Sequence, residues 1–191
     1  MAWCIASYWW GYVLLDLEGK WLRRITIKMG KDFIQKDCMV AGGHMIEAPT
    51  LLTYSSVVSR DSVSIALAIA SLNGLKVLAC DIHNAFLTAK CREKCYIQAG
   101  PEFGSYQGKL MLITLALYGL NTSSASLRNY LAETLYELGY TPTKADPDVW
   151  LRKSVKDDVF QYYEMVVCYV DDVLCISDDP MKTMKGIQRT F

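Results

Sequence analysis

The chain has 191 residues, of which 52% are hydrophobic, and this is enough apolar material for one sizeable core or two small subdomains. Such a composition excludes disorder as the dominant state. The 20 basic and 20 acidic residues cancel, so a contact with nucleic acid requires a local basic surface rather than an overall cationic charge.

The N-terminal residues 1–15 are apolar and aromatic. No basic residue precedes their hydrophobic part, and the run is about five residues shorter than a membrane span requires, so we expect neither a signal peptide nor an anchor. Residues 1–24 are left without a predicted structure. Residues 20–29 alternate apolar and basic positions, which predicts a half-exposed strand, and residues 39–41 predict a short strand before a glycine turn.

The stretch at residues 59–72 has helical spacing, with Ser59 or Asp61 to cap its start and Asn73-Gly74 to end it. The residues expected on its buried face are Val63, Ala66, Leu67 and Ala70. A strand at residues 75–80 follows, and Asp81 stands at its end. A further short strand is predicted at residues 96–99, and residues 110–117 form a second apolar run. A second amphipathic helix is predicted from Ser123 until Gly139 stops it.

The seven cysteines are an odd number, and several lie in or beside apolar runs. This favours reduced core thiols over a disulfide framework. Cys91 and Cys95 lack a second pair of suitable spacing, so no zinc site is expected.

Two apolar runs, residues 165–170 and 173–176, are separated by Asp171 and Asp172. This pattern predicts a hairpin with both carboxylates in its turn. Taken alone, an Asp-Asp turn is more often structural than functional, and Asp81 can simply terminate a strand. Together, three carboxylates from two strands suit two divalent cations and phosphoryl transfer, and Mg²⁺ prefers such oxygen ligands.

Five short segments follow one another along the chain: Met39-Val40-Ala41-Gly42-Gly43-His44, Asp81-Ile82-His83-Asn84-Ala85-Phe86, Leu117-Tyr118-Gly119-Leu120, Ala145-Asp146-Pro147-Asp148 and Tyr169-Val170-Asp171-Asp172. In this order they resemble the reverse transcriptases of Ty1/copia-type retrotransposons. The resemblance covers roughly residues 25–187, and the joint occurrence of the segments is more specific than the Tyr-Val-Asp-Asp hairpin alone.

The resemblance implies an α+β, right-hand polymerase fold in which an antiparallel sheet is backed by two helices, packed on one face. Fingers are expected at about residues 25–74 and palm at about 75–191, with the thumb absent. The implied activity is RNA-directed DNA polymerase, a nucleotidyltransferase that uses two Mg²⁺ ions, or Mn²⁺. Its partners would be an RNA or DNA template with primer and deoxynucleoside triphosphates, with no membrane. The location is unknown; an active element would be intracellular, in cytoplasmic particles or the nucleus.

By the same resemblance, the three acids Asp81, Asp171 and Asp172 are metal ligands together with the backbone carbonyl of Ile82. Phe86 is the gate under the sugar, since an aromatic ring there excludes a 2′-hydroxyl; the alternative for Phe86 is a core aromatic. The remaining implied site residues are Lys36 at the nucleotide and Tyr169 at the primer.

The chain departs from the family pattern at Cys38, where an arginine is usual, and at residues 121–124, where Lys-Gln is common. A thiol does not replace a bidentate arginine on phosphate, so nucleotide binding is expected to be weakened. These departures, together with the end of the chain at Phe191, predict a truncated fragment of a retrotransposon that lacks the remaining polyprotein domains. The alternatives are a non-catalytic nucleic-acid-binding relic, or another palm-type nucleotidyl transferase or cyclase.

Overall fold

The computed structural model describes residues 14–15, 21–22, 25–29, 32–36, 41, 53–156 and 159–191. The helices are α1 (Arg60–Leu72), α2 (Ser123–Glu137) and α3 (Pro180–Gln188). The strands are β1 (Leu14–Leu15), β2 (Trp21–Leu22), β3 (Ile25–Met29), β4 (Asp32–Lys36), β5 (Lys76–Asp81), β6 (Tyr96–Gln98), β7 (Leu110–Leu112), β8 (Thr141–Pro142), β9 (Val149–Lys156), β10 (Phe160–Tyr169) and β11 (Asp172–Ser177).

The chain divides into two compact units. The first contains residues 1–53 and 86–126, and the second contains residues 54–85 and 127–191. In the second unit, five strands form one antiparallel sheet in the order β5-β11-β10-β9-β8. The sheet confirms the predicted mixed α/β class with antiparallel strands.

The helices of the second unit lie on opposite faces of this sheet. The α1 residues Ala66 and Ala70 share a core cluster with Ile176 of β11, whereas Met184 of α3 contacts Cys80, which pairs with Val173. Residues 173 and 176 differ by an odd number, so they point to opposite faces. The two predicted helices, α1 and α2, also lie on opposite faces, since the α1 cluster includes Val149 whereas the Tyr136 ring of α2 meets the ring of the next residue, Trp150. The prediction of two helices on one face was therefore wrong, because apolar periodicity gives a buried stripe but not the sheet face that covers it.

The helix α1 begins as predicted, since the Ser59 side chain accepts the amide hydrogen of Ser62. Its C-cap is Asn73, whose side-chain amide donates to the carbonyl of Ile69. The predicted buried face is only partly confirmed, because Ala66 and Ala70 are buried but Leu67 is 43% exposed. Val63 is half-buried and packs against the same cluster. The small residues let the helix approach the sheet closely, and Leu67 remains outside.

The second predicted helix is confirmed as α2, and Gly139 with φ of 83° follows its end. The last helix, α3, was not predicted. Its hydrophobic residues are few, and Pro180 at its start is a residue that also opens turns.

In the first unit, β3 pairs with β4 and β6 with β7, each as a two-stranded antiparallel ladder. The strand at 25–29 lies within the predicted stretch, and β4 was not predicted. A core cluster joins Ala41, Cys95, Ile113, Leu117 and Leu120. The predicted strand at 39–41 lies outside the described residues except for Ala41, whose amide donates to the Tyr118 carbonyl.

Within the described part of the chain, no helix is both long enough and apolar enough to cross a membrane.

Candidate functional site

The hairpin of β10 and β11 turns through Val170 and Asp171, and Tyr169 pairs with Asp172 as its last register pair. The prediction that placed both aspartates in the turn was wrong by one residue, because it assigned Val170 to the strand on β propensity alone. Val170 has φ of 56°, which is uncommon for a β-branched residue and indicates local backbone strain. Asp172 consequently begins β11.

Asp172 lies directly opposite Asp81, the last residue of β5. The Ile82 amide donates to the Asp171 carbonyl at 2.9 Å, so the adjoining pair of Asp81 and Asp172 is a non-hydrogen-bonded one, the type in which facing side chains are closest. Both side chains are exposed. Like charges directly opposite destabilise a sheet, and a divalent cation held by these carboxylates would offset the repulsion.

The backbone of Ile82 is fixed from two sides. Its amide bonds to Asp171, and its carbonyl accepts the amide of Ala85 at 3.1 Å. A carbonyl oxygen has two lone pairs, so this hydrogen bond leaves one acceptor position. The side chain of Ile82 is buried, which anchors the end of β5.

Among the residues that the structure describes, no group of three or more Asp, Glu, His or Cys side chains is arranged to hold a metal ion. The geometry brings Asp81 and Asp172 together as a facing pair and places Asp171 beside them in the turn. Three carboxylates repel one another without a cation between them. That all three carboxylates bind a metal ion together stays a prediction.

The reverse side of this strand pair is supported by α3. The Cys80 sulfur lies 2.7 Å from the Met184 sulfur. Burial raises the pKa of the Cys80 thiol, and the charges of Asp81 and Asp172 raise it further. Both carboxylates therefore act on one thiol, in agreement with their register. Sequence reasoning missed this support because Cys80 and Met184 are 104 residues apart.

Asp146 of the Ala-Asp-Pro-Asp segment has a structural role. It accepts hydrogen bonds from the Ser59 amide at 3.0 Å, the Ser62 hydroxyl at 2.6 Å and the Asp148 amide at 3.1 Å. Burial raises the pKa of Asp146, but the three hydrogen bonds outweigh it and hold the pKa below its ordinary value. Asp146 thereby ties the start of α1 to the loop before β9.

Asp148 of the same segment is buried and forms an ion pair with Arg128 of α2 at 2.8 Å. Its carbonyl accepts the amide of Cys168 at 2.9 Å. The segment therefore connects a helix on each side to the sheet, near the strand that leads to Tyr169.

A buried polar cluster, also missed from sequence, joins α3 to the central strands. The Tyr140 hydroxyl lies 2.8 Å from the Thr183 hydroxyl and donates to Glu164 at 3.1 Å. Arg152 donates to Glu164 at 2.8 Å and lies over the Tyr140 ring at 4.4 Å. Burial raises the pKa of Tyr140, so its hydroxyl stays protonated as a donor.

Phe86 lies in a short 3₁₀ turn, Ala85–Thr88, and is 8% exposed. Its ring meets the Tyr118 ring edge to face, with centroids 4.6 Å apart and an interplanar angle of 80°. Tyr118 belongs to the Leu-Tyr-Gly-Leu segment, where Gly119 has φ of 89°. The Ser123 hydroxyl donates to the Leu117 carbonyl at 2.6 Å, so the unusual small residues after this segment start α2.

The remaining predicted residues are located as follows. Lys36 is the last residue of β4, and Cys38 lies outside the described residues. Tyr169 is 53% exposed and faces the same side of the hairpin as Asp172, because directly paired residues share a face.

Comparison with known proteins identifies one relationship. The family model described as reverse transcriptase (RNA-dependent DNA polymerase) matches residues 17–191. Searches of curated proteins and of solved structures gave no match. The match covers nearly the whole chain, and the chain belongs to the reverse transcriptase family, in its Ty1/copia type.

Proposed function

We propose that this chain is the RNA-directed DNA polymerase domain of a Ty1/copia-type retrotransposon, adding deoxynucleotides to a primer 3′-hydroxyl by a two-metal mechanism. The observation that carries the proposal is the facing pair of Asp81 and Asp172, next to Asp171, in a chain of the reverse transcriptase family. In this proposal the fingers comprise about residues 25–74 and the palm about residues 75–191.

The donor set fits Mg²⁺, which prefers carboxylate and carbonyl oxygens and keeps open positions for phosphates. Asp81, Asp171 and Asp172 would hold two such ions together with the Ile82 carbonyl, and Mn²⁺ accepts the same ligands. When bound, divalent ions lower the pKa of the attacking hydroxyl and neutralise charge on the transferring phosphoryl group. The repulsion in the facing pair means that cation binding also stabilises the fold.

The protein's own contribution is mainly positioning. The strained turn at Val170 and the two hydrogen bonds of Ile82 fix the backbone that carries the acids. The exposed ring of Tyr169, on the same side as Asp172, supports the primer end. Lys36 attracts the triphosphate.

Phe86 serves as the gate that excludes ribonucleotides, because an aromatic ring against C2′ leaves no room for a hydroxyl group. Its burial and its ring contact with Tyr118 hold it in one position. The substrates of the proposed reaction are an RNA or DNA template with primer and deoxynucleoside triphosphates.

A primer-extension assay with Mg²⁺ or Mn²⁺ tests the proposal. Wild-type protein should extend the primer, and Asp171→Asn should reduce extension at least 100-fold, because removal of a metal ligand removes transition-state charge stabilisation. Asp179→Asn is the matched control, since Asp179 is exposed and its side chain makes no capping hydrogen bond.

Two outcomes count against polymerase activity. One is no incorporation by wild type, and the other is incorporation that Asp171→Asn leaves unchanged. Retained template binding without incorporation would favour the alternative, a non-catalytic nucleic-acid-binding protein.

A further inference from the structure

A cationic strip lies along the segment at residues 90–99, which ends in the strand β6. Side-chain exposure alternates along it: even-numbered residues are exposed, and odd-numbered residues are half-buried or buried. The inward residues Cys95 and Ile97 belong to the core cluster of the first unit. The strip consists of the outward residues Lys90, Arg92, Lys94 and Tyr96.

The positive charge of this strip is not neutralised by the acid within it. Glu93 turns inward. One of its carboxylate oxygens accepts a hydrogen bond from the Cys95 thiol at 3.7 Å, and the other oxygen is buried. Among the described residues, none of the cations Lys90, Arg92 and Lys94 takes part in an ion pair. The strip therefore presents three charges to solvent.

An exposed ring and aliphatic surface continue the strip onto the β6–β7 ladder. Tyr96 is 55% exposed, and its direct partner Leu112 is 51% exposed. Leu110, opposite Gln98, is 76% exposed. Ile97, on the other face of the ladder, packs inward. The face that carries Tyr96 therefore has room for a flat ring.

A second pairing of ring and cation lies where the same ladder continues. Lys109 is placed 5.0 Å from the centroid of the exposed Tyr106 ring. Its carbonyl accepts the amide of Ala99 at 2.9 Å, which joins it to the end of the alternating segment. A ring and a cation are therefore also paired beside the end of the β6–β7 ladder.

We propose that the cationic strip binds single-stranded nucleic acid, such as the unpaired part of a template. Cations attract the phosphates, and an exposed ring stacks on bases of any sequence. A duplex hides its base faces in its own stack, so Tyr96 favours a single strand over a duplex. The identity of the partner rests on the proposed function, whereas the charge and ring geometry do not.

The test is fluorescence anisotropy with labelled single-stranded oligo-dT and a labelled DNA hairpin duplex, without divalent ions or nucleotides. The double variant Arg92→Gln/Lys94→Gln should weaken binding of oligo-dT about tenfold and lower the slope of log affinity against log salt by about 1.4. Lys153→Gln, an exposed cation of β9, is the matched control and should leave affinity unchanged.

The ring is tested separately. Tyr96→Ala should weaken binding about tenfold, and Tyr96→Phe should bind like wild type, because stacking needs the ring and not its hydroxyl. All positions are exposed, and unchanged thermal midpoints will show that the variants are folded.

Three results would overturn the inference. The first is an affinity for the duplex equal to that for oligo-dT, and the second is a loss of affinity from Lys153→Gln equal to that from the strip double variant. The third is competition by a poly-glutamate peptide, which has charge but no bases, equal to that by unlabelled oligo-dT. Binding is measured without divalent ions or nucleotides, so it does not depend on catalysis. Extension that fails while strip-dependent binding persists contradicts the polymerase proposal alone. Extension that proceeds while the strip substitutions leave affinity unchanged contradicts this inference alone.

Discussion

Asp172 faces Asp81 across the β5–β11 ladder as a non-hydrogen-bonded pair, one residue after a turn that carries Asp171. In an antiparallel sheet this pair type brings facing side chains closest together. A folding sequence usually avoids like charges at such positions, since they reduce stability. If the pair holds a divalent cation as proposed, stability should depend on that cation.

The substitution Asp172→Asn should raise the free energy of unfolding in EDTA by about 0.5 kcal/mol, because it removes this repulsion. Mg²⁺ should raise the thermal midpoint of wild type and raise that of the variant much less. Thermal denaturation with and without Mg²⁺ measures both effects, with Asp179→Asn as the control that should behave like wild type. A variant that is less stable than wild type in EDTA would contradict the repulsion argument.

Asp146 should make the free energy of unfolding of the second unit depend on pH in the acid range. Its pKa is held below the ordinary value by hydrogen bonds from Ser62, Ser59 and Asp148. A carboxyl group with a lowered pKa in the folded state stabilises above its unfolded pKa of about 3.9, and this stabilisation is lost as the pH falls through the folded pKa. Asp146→Ala should cost about 2 kcal/mol at pH 7.

Urea unfolding at pH 7 and pH 3 checks this prediction. The difference in stability between wild type and Asp146→Ala should be smaller at pH 3. The control is Asp61→Ala, an exposed acid in the first turn of α1, which should cost no more than about 1 kcal/mol. An equal cost for Asp146→Ala at both pH values would show that its hydrogen bonds do not depend on ionisation.

The sequence predicted the helix α1, most of α2 and the hairpin because each has strong local signals. Ser59 caps, Asn73 ends, and apolar residues recur at helical or alternating spacing. The one-residue error in the turn has a physical origin, since Val170 adopts a positive φ that its residue type disfavours. Val170 stands in the two-residue turn between the paired residues Tyr169 and Asp172, and this tight turn overrides the local preference of valine.

The supporting contacts of the site were beyond sequence reasoning because they join distant residues. Cys80 and Met184 are 104 positions apart, and Asp146 reaches Ser59 across 87 positions. Neither pair has a spacing motif. The ion pair of Arg152 with Glu164 likewise has no sequence motif, because its burial exists only in the folded chain.

Tyr118 should hold Phe86 in the position that the sugar gate requires. Their edge-to-face contact at 4.6 Å is the kind of ring pair that contributes about 0.5–1.5 kcal/mol beyond burial. Tyr118→Leu should therefore lower the free energy of unfolding by about 1–2 kcal/mol and increase ribonucleotide incorporation relative to deoxynucleotide, less than Phe86→Ala does. Tyr118→Phe should keep the wild-type preference.

Single-nucleotide insertion with competing ribo- and deoxynucleotides measures the preference, and urea unfolding measures stability. Tyr54→Leu serves as the control, since Tyr54 is 75% exposed. A change in stability without a change in sugar preference would limit Tyr118 to packing. No effect of Phe86→Ala on the preference would remove Phe86 from the gate itself.

The turn residue Val170 stores strain that glycine should release. Its φ of 56° occupies the first of two turn positions, where glycine is usual. Relief of about 1–3 kcal/mol of strain exceeds the entropy cost of glycine, about 0.5–1 kcal/mol. Val170→Gly should therefore raise the thermal midpoint by about 3 °C, as expected for about 1 kcal/mol in a chain of this size.

Val155→Gly is the matched control, because Val155 is 55% exposed within β9 and has no positive φ. There, glycine releases no strain and should lower the midpoint. In primer extension, Val170→Gly should reduce activity, since a relaxed turn holds Asp171 and Asp172 less rigidly. If Val170→Gly destabilises as much as Val155→Gly, packing of the valine side chain compensates for the strained φ, and the turn stores no strain that glycine can release.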